Sequence, residues 1–278
     1  MIPADRGPRM SKKMAGALAR LVRLATVWQK PHRRASTQAL ICERLAPRVR
    51  VETPAGPLFF STPSARAVHD PANFGRDEPE TVRWIAELPR TDVLWDIGAN
   101  IGTYALYAAK ARGMRVLAFE PSAASYAVLV RNVEINGLAS LLDSYCLAFD
   151  ERTRLDHLHM AHTEAGHSLH AFGQDETIGG RLASVFKQSV PGFSVDGFCE
   201  LFAPPPPDHI KLDVDSIELA ILRGAARTLG RVKSLLVEID AADRRPSGIR
   251  AFLIAAGFAE DTDFMAAGAR RNVLFRKA

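Results

Sequence analysis

The chain has 278 residues, enough for one sizeable α/β domain with an appendage, and its 47% apolar and 24% charged content is that of a globular protein rather than a disordered one. The net charge of +5 is lopsided: residues 1–50 carry 12 Lys/Arg against Asp5 and Glu43, so the remainder sums to −5 and gives no case for nucleic-acid binding by the main domain. Cys42, Cys146 and Cys199 lie far apart with no C-x-x-C, which argues against a zinc site or a disulfide framework and fits a cytoplasmic protein.

Residues 1–11 hold two prolines and no periodicity. Residues 12–29 predict a helix with Leu18, Leu21, Val22, Ala25 and Trp28 on one stripe and Lys13, Arg20 and Arg23 elsewhere. Arg20 and Arg23 interrupt any signal-peptide core, and no apolar run approaches the ~20 residues of a membrane span. The helix is either a peripheral membrane or partner-binding element, or it packs on the domain or forms a weakly ordered extension. Met10 and Met14 leave the start codon open. After Lys30-Pro31 a second helix is expected over 36–48, completing a basic N-terminal extension, 1–48.

A small lead-in, 49–77, follows, with short strands at Val49–Glu52 and Gly56–Ser61 and an irregular stretch after them. Glu78-Pro79-Glu80-Thr81 opens a helix through Leu88, since proline suits an early helical position and carboxylates favour the positive helix end. Trp84 and Leu88 should pack beneath the sheet of a catalytic domain, 78–278.

Val93 to Ile97 then read as a strand, Gly98 to Gly102 as a turn and Thr103 to Arg112 as a helix. This layout lets backbone approach a nucleotide-like ligand closely. Arg115-Val-Leu-Ala-Phe-Glu120-Pro121 is the next apolar run, and Glu120, 22 residues after Gly98 at the end of that strand, can accept hydrogen bonds from both hydroxyls of a ribose. A dinucleotide fingerprint needs G-x-G-x-x-G, but Asn100 stands where its second glycine would. Asp96 before the turn suits the cationic amino-acid end of S-adenosylmethionine better than a pyrophosphate. The expected cofactor site is therefore Asp96, Gly98, Asn100, Gly102 and Glu120, for S-adenosylmethionine.

A helix capped by Ser122 runs from Ala123 to Ile135 and ends at Asn136-Gly137. Leu141 to Phe149 predict a third strand and Asp150–Thr153 a hairpin turn. Residues 154–195 break the alternation and hold five of the eight histidines: His157, His159, His162, His167 and His170. They read as a polar insertion near the active-site mouth; no cysteine or tight carboxylate cluster accompanies them, so no metal ligands are assigned, although a divalent metal stays possible. Pro204–Pro207 feed a strand at His209–Asp215, followed by a helix from Ser216 to Leu229. Val232–Asp240 is a fifth strand; Ser247 caps a helix ending at Gly257; Phe258–Met265 and Asn272–Arg276 close the chain. Two closing strands after the βα units suit a sheet whose last strand inserts antiparallel.

In doubly wound sheets ligands bind beyond the C-terminal strand ends. Asp213 and Glu238 lie at such ends, whereas Asp215-Ser-Ile-Glu218 has the spacing of a capping box. Asp213 is the candidate base or metal ligand, His167 the alternative base, and Glu238 a third candidate catalytic residue. The bland reading of Asp213 is a partner for Lys211, two residues away on the same strand face.

These residues resemble the FkbM family of class I S-adenosylmethionine-dependent methyltransferases. The matches are Glu78-Pro-Glu-Thr with Trp84, Trp95-Asp-Ile-Gly-Ala-Asn-Ile-Gly102-x-Tyr104, Phe119-Glu-Pro121 with Asn132 and Asn136, and His167-Ser-Leu. Ile210-Lys-Leu-Asp-Val-Asp215-x-x-Glu218 with Gly224 and Val237-Glu-Ile239 complete them, while Ser216 replaces the family's usual glycine. The resemblance implies a Rossmann-like, seven-stranded α/β methyltransferase sheet and, usually, O-methylation of a hydroxyl on a sugar, glycan or secondary metabolite. N- or C-methylation of a small molecule, or cofactor binding without catalysis, are the alternatives.

Overall fold

The computed structural model describes residues 7–168, 170–174, 176–177, 180–214, 217–239, 248–267 and 272–278. The expectations for Asp215, Ser216, Asp240 and Ser247 lie outside them. The chain divides into two compact units, Met1–Pro47 and Arg48–Ala278.

The first unit holds α1 (Gly7–Ala25) and α2 (Pro31–Arg44). Pro31 sits at the start of α2, where its missing N–H costs nothing. Gln38 Nε2 donates to Thr26 Oγ1 at 3.0 Å and Thr37 Oγ1 to Gln29 Oε1 at 2.9 Å, joining α2 to the turn before it. No helix among the described residues is long and apolar enough to cross a membrane.

The second unit opens with an antiparallel hairpin, Arg48–Val51 with Leu58–Ser61, then α3 (His69–Ala72) and α4 (Pro79–Glu87). Trp84 and Leu88 are buried, and the Trp84 indole donates to Ser234 Oγ at 3.1 Å.

The large sheet contains β1 (Val93–Ile97), β2 (Arg115–Phe119), β3 (Leu142–Tyr145), β4 (His209–Leu212), β5 (Ser234–Glu238), β6 (Phe258–Glu260) and β7 (Asn272–Lys277). Their spatial order is β6-β7-β5-β4-β1-β2-β3, with β7 antiparallel to both neighbours and the remaining pairs parallel. This is a doubly wound, Rossmann-like methyltransferase sheet of seven strands. Apolar side chains alternate between its faces: Leu94, Val116 and Leu236 join one core, and Trp95, Leu117 and Leu235 the other. Helices α5 (Thr103–Arg112) and α6 (Ala123–Ile135) supply residues to the first core. Helices α7 (Val195–Phe202), α8 (Glu218–Arg223) and α9 (Gly248–Ala255) supply the second. Ser122 caps α6 by accepting the Ser125 N–H.

Four local expectations are corrected. The third strand breaks at Cys146-Leu147, because Ala148–Phe149 leave the sheet to pair with Gly192–Phe193. No hairpin follows: Arg154–Met160 pairs instead with Phe186–Phe193, which lies between it and Ala148–Phe149. The helix after β4 stops at Gly224, where the backbone passes so close to the Asp150 carbonyl that a side chain would collide with it. The sixth strand ends at Glu260, because Asp261 Oδ1 accepts the Phe264 N–H at 2.9 Å and starts α10 (Thr262–Ala266). The histidine-rich insertion is itself a four-stranded sheet, ordered Ala148–Phe149, Phe186–Phe193, Arg154–Met160, His170–Phe172, around a small core of Leu158, Met160, Phe172 and Val190.

Candidate active site

The turn after β1 builds one wall of a cavity of about 600 Å³. The N–H groups of Gly98 and Ala99 both donate to the Phe119 carbonyl at 3.0 Å, drawing the ends of β1 and β2 together. Gly98 has φ +86°, and a Cβ there would run into the Asp213 carbonyl, so only glycine permits this approach of β1 to β4. Asn100 also takes a left-handed conformation, φ +50°, which asparagine tolerates better than most residues. Its N–H donates to Glu120 Oε2 at 2.8 Å, and the Ser122 N–H donates to Glu120 Oε1 at 2.7 Å. Glu120 is thus a buried clamp on the two turns as well as part of the cavity lining.

Three buried polar atoms on this wall have no protein hydrogen-bond partner: Asp96 Oδ1, Asn100 Oδ1 and Thr103 Oγ1. Buried polar atoms are normally satisfied, so this trio awaits a ligand bearing hydrogen-bond donors. Burial pushes the Asp96 pKa up to about 6, with Lys211 opposing the rise, Asp213 adding to it and the Ala105 N–H opposing it. A cationic ligand would favour the ionised form. The donor-rich ammonium end of an adenosylmethionine-type ligand fits both features.

Beside it lies a carboxylate cluster around one buried cation, Lys211, which is the register partner of Asp96 on the neighbouring strand. Lys211 Nζ donates to Asp213 Oδ2 at 2.6 Å and sits 5.4 Å from the Tyr104 ring centroid. Burial works against the Lys211 charge, but Asp213, Glu78 and Asp96 outweigh it and raise its pKa well above the ordinary value. Glu78 Oε2 accepts from Thr81 Oγ1 at 2.8 Å and Asn272 Nδ2 at 3.1 Å. Burial raises the Glu78 pKa, Lys211 lowers it and Asp213 raises it. Asp70 is raised by burial against the pull of Arg66.

The insertion supplies a third wall through Leu158, His167, Ser168, His170 and Phe172. The rings of His162 and His167 stack with centroids 4.2 Å apart. Burial, then the neighbouring His162, lower the His167 pKa, with Glu164 opposing, so its imidazole is neutral at pH 7. Among the described residues, His162, Glu164 and His167 form a group whose possible metal-ligating atoms lie within 4.8 Å of one another. Asp213 belongs to no such group among the described residues.

Asp96, Gly98, Asn100, Glu120, Asp213, His167 and Glu238 therefore line one cavity. Gly102 lies outside the lining; its φ of +87° starts α5, and a Cβ there would strike Leu129 and Leu106. Sequence reasoning did not assign Arg66, His69, Asp70, Asp77, Glu78 and Tyr104 to the site, though all line it. Glu78 read as a helix-start carboxylate. The sequence signal that could have drawn it in is Lys211, whose place in an apolar strand calls for counter-charges.

Residues 96–260 match the Methyltransferase FkbM domain. Methyltransferase sdnD of Sordaria araneosa is 29% identical, over 60% of this chain and 71% of its own length. Hexuronic acid methyltransferase AglP of Haloferax volcanii is 28% identical, over 60% of this chain and 64% of its own. Among solved structures, M. jannaschii TYW2 in complex with AdoMet aligns at a TM-score of 0.43 and 12% identity, over 83% of this chain and 87% of that one. The family match spans more than half of the chain and takes in the β1 and β2 turns, the insertion and the end of β4: the chain belongs to the FkbM methyltransferase family.

Proposed function

We propose that the protein transfers a methyl group from S-adenosylmethionine to a hydroxyl of a sugar, glycan or secondary-metabolite acceptor. The observation that carries this reading is one cavity combining unpartnered acceptors on the β1 turn with the carboxylates gathered around Lys211. In this reading Asp96 takes the ammonium end of the cofactor and Asn100 and Thr103 help to fix it, while Glu120 receives the ribose hydroxyls. The bound cofactor supplies an electrophilic sulfonium methyl, so the protein's task is chiefly to align the acceptor oxygen with it. Asp213, anchored through Oδ2 by Lys211, takes the hydrogen bond and then the proton of the acceptor hydroxyl. Glu78 and Glu238 flank the acceptor and hydrogen-bond its other hydroxyls. A hexuronic acid methyltransferase among the relatives supports a sugar-type acceptor.

One observation favours a second assignment of the base. His167 lines the same cavity with a lowered pKa, and a neutral imidazole is better matched to proton removal near pH 7 than a carboxylate held by a lysine. The reaction is tested by supplying methyl-labelled S-adenosylmethionine with neutral and acidic sugars and locating the label by NMR. An O-methyl ether supports the proposal. An N- or C-methyl product reassigns the acceptor atom, and tight cofactor binding without transfer to any acceptor supports a non-catalytic binding protein.

A further inference from the structure

We propose that α1 is a binding element for an anionic lipid surface, lying in the plane of the membrane with its apolar face inserted. At 100° per residue, Met14, Ala17, Leu18, Leu21, Val22 and Leu24 fall within one arc of about 160°. Lys12, Lys13, Arg20 and Arg23 fall within the opposite arc of about 100°. The segregation is complete, and the apolar side is not consumed by packing: Met14, Leu18, Leu21 and Leu24 are 62%, 55%, 61% and 67% exposed. Trp28, in the turn beyond the helix, is 78% exposed, with its indole donating to the Ala25 carbonyl at 2.7 Å. Four large apolar side chains and an indole facing water within one short segment need a cover.

Charge decides which cover. From Arg6 to Cys42 the chain carries nine Lys/Arg and no Asp or Glu. A second copy of this segment would bring like charges together, and an apolar protein groove would not use them. An anionic bilayer uses both faces: the apolar arc enters the headgroup boundary, and the basic arc meets the lipid phosphates. In projection Lys13 falls at the edge of the apolar arc, where a long side chain can keep its charge in the headgroups while its stem stays apolar. The helix, about 28 Å long at 1.5 Å per residue, lies along the surface and does not cross it.

The full chain carries its own reporter. Trp84 and Trp95 are fully buried, so a change in tryptophan emission on adding vesicles reports chiefly on Trp28. With vesicles of phosphatidylcholine containing about 30% phosphatidylglycerol, the protein is expected to cosediment and its emission to shift to the blue. Phosphatidylcholine alone should do neither, and salt should reverse both effects. Arg20→Gln with Arg23→Gln should lower partitioning about 25-fold, roughly five-fold for each charge removed. Leu18→Asn with Leu21→Asn should abolish it. Neither pair touches the cavity, so cofactor binding serves as the check that each variant is folded. The proposal is overturned if anionic vesicles neither sediment the protein nor shift its emission, or if neutral vesicles act equally. A blue shift that grows with protein concentration without lipid assigns the face to a second copy. Sedimentation by nucleic acid, with none by vesicles, assigns the basic face to that partner.

Discussion

Lys211 Nζ and Asp213 Oδ2 lie 2.6 Å apart, with the lysine side chain 3% exposed and the aspartate 26%. The pair sits at the C-terminal end of β4, on the wall of the cavity. Replacing Lys211 by methionine leaves Asp213, Glu78 and Asp96 gathered without their shared cation. Removing one partner of a buried pair costs about 3 kcal/mol, which for a domain of this size lowers the melting temperature by roughly 6–12 °C. Adding Asp213→Asn to that variant should restore part of the loss. A Lys211→Met protein that melts within a degree of wild type would show that the cluster is held by something else.

Asp213→Asn and His167→Ala separate the two candidate bases. If Asp213 takes the proton, its variant loses about 10²–10⁴ in turnover while cofactor affinity is kept. If His167 does, the loss moves to His167→Ala, and with it goes a limb of the wild-type profile. That limb lies on the acid side, because burial and the neighbouring His162 lower the His167 pKa and keep the imidazole neutral to lower pH than in a free histidine. EDTA should change neither variant nor wild type when a side chain is the base. Loss of wild-type turnover in EDTA, restored by magnesium, would instead make Asp213 or His167 a metal ligand.

Cofactor affinity should depend on pH through Asp96. Its pKa of about 6 without ligand lies above that of a free aspartate, and a cationic ligand binds the ionised form. Affinity measured by calorimetry should be level above pH 7 and weaken by up to about tenfold per unit below pH 6. The sign for stability is opposite. A raised carboxyl pKa contributes stability that is full below the unfolded value near 3.9 and lost as pH rises through 6. Asp96→Asn should therefore stabilise the cofactor-free protein more at pH 7.5 than at pH 5, while weakening cofactor binding at pH 7.5. Equal effects on melting temperature at the two pH values would remove Asp96 as the titrating group.

Glu120→Ala removes the acceptor shared by the Asn100 and Ser122 N–H groups. Each orphaned buried donor costs about 1–3 kcal/mol. The variant should lose stability even without cofactor, and adenosylmethionine affinity should fall further through the lost ribose contacts. Glu120→Gln keeps one acceptor oxygen and should recover part of the stability while binding cofactor weakly. Unchanged affinity in both variants, by titration calorimetry, would leave Glu120 as a clamp alone.

The elements that depend on local pattern were legible from the residues. Val93–Ile97, Thr103–Arg112 and Ala123–Ile135 have the expected bounds, and Arg115–Phe119 stops one residue before the expected end at Glu120, because apolar runs, a glycine turn and the Ser122 cap fix them within a few residues. Ala148–Phe149 were not legible as a departure from β3, because their partner lies some 44 residues downstream at Gly192–Phe193. The short α10 was missed because Phe258–Met265 reads as one strand across Glu260, Asp261 and Asp263, whereas Asp261 caps a helix by accepting the Phe264 N–H. On the cavity, residues from the β1 and β2 ends could be read because parallel strand ends gather ligands. Arg66, His69 and Asp70 could not, because the segment around α3 has no periodicity and reaches the cavity through tertiary packing alone.

The cavity wall that carries Leu158, His167 and Phe172 comes from a sheet spliced between β3 and β4, with a small apolar core of its own. The β1 and β2 turns owe their geometry to Gly98, Asn100 and Glu120, and none of these belongs to that sheet. The segment is nevertheless tied to those turns: Gln188 Nε2 donates to the Pro121 carbonyl at 2.7 Å, Gln188 Oε1 accepts the Ala123 N–H at 2.9 Å, and Asn100 Nδ2 donates to the Gly166 carbonyl at 3.2 Å. Replacing residues from about Arg154 to Phe193 would therefore redraw one side of the chamber and loosen the other with it. A lineage that exchanges what it modifies must keep the contacts of Gln188 and Gly166 to go on holding its reagent.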